Sequence, residues 1–334
     1  MPRNPSTITS KILAQNVGSN AIRRALSPIS NYSRCESAAF VRRALTHAIK
    51  KDVSGVEISP YADFIPKQTT ILLGESRGRS QNGLEAIETE EQINNAAVET
   101  SAQLKKSRYF FELANVVTEE IKPILYYYGA MYFLDFICLN MVRRRLIGSR
   151  GHGLSVSNDS EGWDFDKNWS RNKCKVQIGS SGDFPFYIDA LTISGWTTLF
   201  SQFRLHRETM DDPYIIMNNP NPLFQEKISL DFLCNFNKDK YLTDYPEVKQ
   251  WLIGKDEGSI WKLTGLLMDV MVVYVASSLA RYYTPAWIGI IEANKSDIYN
   301  DIRSAYQSVS EGLPLFFEDE HPFDYSYGTR IPPY

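Results

Sequence analysis

Twelve consecutive residues, Arg143 to Leu154 in RRRLIGSRGHGL, hold four arginines, three glycines and a histidine. Guanidinium groups grip phosphate oxygens with two parallel donors. Glycine lets main-chain N–H groups come close to an anion. Histidine titrates near neutrality and can move a proton. The stretch reads in two ways. In one it is an anion- or nucleotide-binding turn, held by Arg143, Arg144, Arg150 and Gly151. In the other it is a solvated helix end, whose cations complement the helix dipole while His152 orders the turn.

Other chemistries lack their residues. The four histidines (47, 152, 206, 321) stand far apart and form no His-x-x-x-His pair, so no metal site is expected. Neither G-x-x-x-x-G-K-[ST] nor G-x-G-x-x-G occurs, and no cofactor is expected. GSSGD does not fit the G-x-S-x-G elbow. The acids at 159, 161, 164 and 166 miss the spacing to Lys173 and Lys175 that a PD-(D/E)xK nuclease needs.

Two aspartates are conspicuous. Asp135 and Asp269 each lie inside an apolar run. A buried carboxylate must find a partner or shift its pKa. Arg281 is one candidate partner; Tyr128 and Tyr132, on the helical face of Asp135, are others. These five residues make either a satisfied bridge between core helices or a polar pocket between them.

The runs that carry these aspartates are PILYYYGAMYFLDFICLNMV, from Pro123 to Val142, and LTGLLMDVMVVYVASSLA, from Leu263 to Ala280. Both approach the ~20 residues of a membrane span. A mid-bilayer aspartate costs about 2.5–3.5 kcal/mol, so both are expected to be buried core helices, with no membrane as partner. The chain has 334 residues, 43% of them hydrophobic, enough for a substantial core. A net charge of −3 argues against coating nucleic acid by charge alone. Four scattered cysteines without a CxxC, and an N-terminus without an apolar h-region, lead to the expectation of free thiols in the cytoplasm.

Around these runs the pattern predicts a variable region over residues 1–100, with a helix at 33–51, a strand near 67–75 and a mobile loop at 76–83. Ser33 and Glu36 fit a capping box. A helix over roughly 84–118 is predicted, and the apolar helix after Pro123 is expected to reach about Arg145. Residues 155–173 read as a polar loop. CKVQIGSSGDFPFYIDALTIS reads as two strands about a turn, and GWTTLFSQFRLHRE as a helix. Thr284 is expected to cap a helix that has Pro285 in its first turn. The predicted fold is mainly α, a helical core over 101–310 with a small β insertion at about 173–218, followed by a tail at 311–334.

Four blocks carry a resemblance. KPILYYYG leading into the apolar helix, GHGL at 151–154, GDFPF at 182–186 and SSLARYYTPAW at 277–287 resemble, in order and spacing, the YaaC-like proteins of bacteria. That family's molecular activity is not established. A long helix containing YY, followed by a loop histidine, is also similar to HEPN domains. Many of these are metal-independent ribonucleases of toxin and phage-defence systems, marked by an arginine, four to six residues, then a histidine. Arg145 and His152 have six residues between them; Arg42 and His47 fit as well.

The likeness implies a HEPN-like core and an RNA-acting protein. His152 would be its acid/base and Arg145 its phosphate clamp, and a homodimer would form because such sites sit where two domains face each other. Leu146 stands where HEPN signatures carry a polar residue. The alternative is a non-catalytic binding or assembly protein, whose interhelical pocket or surface serves a protein or small-molecule partner.

Overall fold

A computed structural model describes residues 36–39, 41–42, 84–86, 90–142, 144–146, 151–158, 171, 173–179, 182–193, 198–200, 204–206, 214–216, 227–253, 256–292 and 297–319. The helix predicted at 33–51 is therefore described only at four helical positions, and the strand at 67–75 and the loop at 76–83 lie outside the described residues. What is described is mainly helical.

Helix α1 (Glu90–Val116) opens with Glu90 and Glu91, carboxylates that favour the positive end of the helix dipole. Its buried side is built largely from small residues, Ala96, Ala97, Thr100, Ser101, Ser107 and Ala114. These let α2 (Lys122–Val142) approach closely. The crossing is tightest where a Cβ on Gly129 would stand 2.5 Å from the Phe111 ring. There the Ser107 hydroxyl donates to the Gly129 carbonyl at 2.8 Å. The long helix α7 (Glu257–Tyr282) packs along the other side of α2. It starts at Asp256, whose carboxylate accepts from the N–H groups of Gly258 and Ser259. By length and composition α7 could cross a membrane, yet its apolar side chains face protein from Ile260 to Leu279.

Short strands flank this core. β1 (Leu84–Ala86) pairs antiparallel with β2 (Arg144–Leu146), setting Glu85 opposite Arg145. β3 (Leu154–Asn158), β4 (Cys174–Ile178) and β7 (Lys227–Ser229) form a three-stranded antiparallel sheet with Val176 between Val156 and Ile228. β5 (Arg204–His206) pairs with β6 (Tyr214–Ile216). Helix α3 (Asp183–Ile193) follows β4, and α4 (Leu230–Cys234), α5 (Lys238–Asp244) and α6 (Pro246–Leu252) lead to α7. Beyond α7, α8 (Thr284–Glu292) and α9 (Asp297–Gln307) pack back on it. A π-helical turn (Ser308–Gly312) then runs without a break into α10 (Leu313–Asp319), whose Phe316 and Phe317 are buried.

Several local expectations are corrected. The helix expected to reach Arg145 ends at Val142, because pairing with Leu84–Ala86 takes up the backbone of Arg144–Leu146. The predicted 84–118 helix starts only at Glu90 for the same reason. In the GDFPF block a helix replaces the second strand. The Gly182 turn aims the first N–H groups of α3 at carbonyls of the 151–152 loop, which supplies the cap. Residues 155–158, taken for loop, belong to the strand Leu154–Asn158, whose L-S-V-S alternation fits a half-buried sheet. Arg204–His206, taken for helix, is a strand held by its long-range partner β6. Thr284 does not cap: its hydroxyl donates back to the Ala280 carbonyl at 3.2 Å.

Candidate functional site

The four sequence blocks meet around one side chain. His152 leaves the loop before β3 and lies half-buried among tyrosines from two helices. Its ring is edge-on to Tyr127 at 5.3 Å and to Tyr128 at 5.9 Å, both on α2, and 6.2 Å from Tyr274 on α7. The Tyr274 hydroxyl donates to the Leu154 carbonyl, which ties the start of β3 to α7. Burial, and next the positive charge of Arg281, lower the pKa of His152 below its ordinary value. The imidazole is therefore neutral at physiological pH and fit to accept a proton.

Arg281 closes the site. Its Nε donates to the Ser277 carbonyl at 3.2 Å, and its Nη1 reaches the Tyr128 hydroxyl at 3.5 Å, a loose contact. The guanidinium lies near two rings, 6.0 Å from the centroid of Tyr128 and 5.0 Å from that of Tyr282. Its Nη2 is enclosed and makes no hydrogen bond among the described residues, and the same holds for the Tyr127 hydroxyl and Ser277 Oγ. Burial raises the Tyr127 hydroxyl well above its ordinary pKa, so it stays protonated.

Backbone geometry fixes His152. Gly153 has φ +71° and Gly182 φ +124°, conformations that suit glycine. A Cβ on Gly182 would stand 2.2 Å from the Cα of Gly153. This close crossing lets the N–H groups of Asp183 and Phe184 donate to the carbonyls of Gly151 and His152 at 2.9 and 3.1 Å. The N-terminus of α3 thus grips the histidine loop and has these two donors committed. Gly151 is exposed, with nothing near its Cβ position.

The expected site residues fall into three groups. His152, Arg281 and Tyr128 come together. Arg144 and Arg145 stand on β2, their backbone positions known and their side chains outside the described residues, as are Arg143 and Arg150 altogether. The two aspartates sit on different helices, Asp135 on α2 and Asp269 on α7. Asp269 is buried and accepts from the Ser308 hydroxyl of the π-helical turn. It lies twelve residues, about 18 Å along α7, from Arg281, so Arg281 is not its partner. Asp135 is half-buried, one turn beyond Tyr132 on α2. Asp269 therefore does not join Arg281 and Tyr128.

Three site residues, Tyr127, Tyr274 and Ser277, escaped sequence reading, although α7 carries a legible signal. Tyr274, Ser277, Ser278 and Arg281 recur at i, i+3, i+4 and i+7, a polar stripe on an otherwise apolar helix. A second buried polar cluster lies elsewhere. Arg171 and Asp301 pair at 2.8 Å, and burial raises the Asp301 carboxyl to about 6 despite that cation. Cys138, Cys174 and Cys234 are buried thiols that form no disulfide, and burial pushes Cys174 up to about 12, which makes it unreactive. Among the described residues no group of three His, Cys, Asp or Glu side chains has a metal-binding arrangement.

Compared with known protein families, with curated proteins and with solved structures, the chain matches none.

Proposed function

We propose that this chain is a YaaC-like protein with a HEPN-like helical core, and that it cleaves RNA without a metal at the His152–Arg281 pair. The observation that carries this reading is the meeting of the four blocks on a neutral, half-buried histidine with a guanidinium beside it. In the reaction, neutral His152 removes the proton of a ribose 2′-hydroxyl. The 2′-oxygen attacks the adjacent phosphorus, the bond from phosphorus to the 5′-oxygen breaks, and that oxygen leaves as a hydroxyl with a proton from water, to which His152 returns its own. The products are a 2′,3′-cyclic phosphate and a 5′-hydroxyl end. Arg281 holds the non-bridging oxygens as charge grows on them, its loose contact with Tyr128 giving way to the phosphate.

Arg281 takes the role that the HEPN likeness gives to Arg145. Arg143, Arg144, Arg145 and Arg150 remain proposed as the attraction for the backbone phosphates. A homodimer and a role in phage defence are part of the same reading. A second reading is non-catalytic binding of a small anion. The enclosed, uncommitted donors of Tyr127, Ser277 and Arg281 favour it.

Labelled single-stranded RNA incubated in EDTA with the wild type and His152→Ala tests the proposal. The reading expects cutting by the wild type, cyclic-phosphate ends, and at least a hundredfold loss in the variant. RNA left intact by both, with phosphate or a nucleotide still bound, favours the second reading.

A further inference from the structure

The rings around Arg281 do not stop at His152. Tyr282, 67% exposed, and Tyr128 both lie within 6.0 Å of the guanidinium. Tyr128 is 6.0 Å from Phe110 on α1, which stacks on Tyr132 at 5.4 Å with the planes 15° apart. Tyr109, 60% exposed, meets Phe110 edge-on at 6.1 Å. The ammonium of Lys106 sits over the Tyr132 ring at 5.1 Å. Apart from Tyr109 and Tyr282 the rings are half-buried, so the ladder combines two open rings with firmly held ones.

An aromatic run that served only as core would be covered and would not alternate with cations. Here Lys106 and Arg281 stand on the ladder, whereas Arg108 on the helix of Lys106 is ion-paired with Glu36 and Glu112. Every base has a face that stacks on such rings, and Lys106 and Arg281 offer charge to the phosphates between bases. We infer that the Tyr109–Tyr132–Tyr128–Tyr282 surface is a track for single-stranded RNA, leading the strand to His152. The choice of RNA rests on the proposed cleavage; the stacking track itself does not.

The test uses a fluorescein-labelled 12-nucleotide single strand with 2′-O-methyl groups, which cannot be cleaved, so anisotropy reads binding alone. Tyr109→Ala combined with Tyr282→Ala removes the two open rings without touching the core, and a circular dichroism spectrum verifies folding. Each lost stack weakens binding by roughly 5- to 100-fold. Tyr→Phe at both positions keeps the affinity within a few-fold. Lys106→Gln lowers the slope of log Kd against log salt by about 0.7. A 12-base-pair duplex, its base faces covered, binds less tightly than the single strand.

Unchanged affinity in the double alanine variant overturns the inference, as does absence of binding by the wild type. A surface that instead joins two copies, seen as a dimer lost in the variant without RNA binding, overturns it too. If the 2′-O-methyl strand binds through these rings while unmodified RNA stays uncut, the track stands and the proposed cleavage falls. If RNA is cut and the rings make no difference to binding, the reverse holds.

Discussion

Gly182 and Gly153 cross with so little room that a Cβ on the first would stand 2.2 Å from the Cα of the second. The crossing holds the loop of His152 onto the start of α3, so it is the mechanical basis of the site. Gly182→Ala puts a side chain at φ +124° as well as into that contact. Backbone strain of order 1–3 kcal/mol and overpacking of about 1–3 kcal/mol together predict a loss of about 2–6 kcal/mol. Gly151→Ala, two residues from Gly153 and with open space around its Cβ, is expected to stay within about 0.5 kcal/mol. Urea unfolding of the pair checks this, and equal losses contradict it.

The His152 pKa is held down first by burial and then by Arg281. Arg281→Gln removes the second cause, so the pKa is expected to rise but stay below the ordinary 6.5. Histidine chemical shifts followed through a pH titration measure it. The sign for stability follows from proton counting. Between the lowered folded value and 6.5 the unfolded chain binds more protons, so stability rises with pH across that window and is lost as pH falls through it. A histidine titrating at or above its ordinary value contradicts the account of the site.

Asp301 gives the opposite slope. Its carboxyl is raised from 3.8 to about 6 because burial outweighs the attraction of Arg171. Between those values the folded chain binds more protons, so this group's contribution is full below 3.8 and lost as pH rises through about 6. The melting temperature of the wild type relative to Asp301→Asn is expected to fall as pH goes from about 4 to about 6.5. A flat difference means that Asp301 titrates as an ordinary surface carboxylate.

What the sequence disclosed follows the range of the forces involved. The apolar lengths of α2 and α7 and Pro123 in the first turn of α2 are local signals, and the mainly helical fold follows from them. β2, β5 and the capping of α3 depend on partners distant in sequence, against the local preference of RRRL or SQFRLH, and so they were missed. The site was half legible. His152 stood out by its glycines, but its cation comes from Arg281, 129 residues on, a pairing that only the packing of α2 against α7 produces. Asp135 and Asp269 shared a character in sequence, yet the fold leaves Asp135 half-buried and encloses Asp269 beside Ser308.

His152 and Arg281 are claimed to work as a unit on one phosphodiester. The direct measurement is the single-turnover cleavage rate of single-stranded RNA, in EDTA, for the wild type, His152→Ala, Arg281→Gln and the double variant. Groups acting together are not additive in their losses. The account predicts that each single change costs at least about a hundredfold, and that the double variant is no slower than the slower single. It also predicts that Arg145→Ala costs less than Arg281→Gln. Multiplying losses, full activity in Arg281→Gln, or a wild type that leaves RNA intact would contradict it.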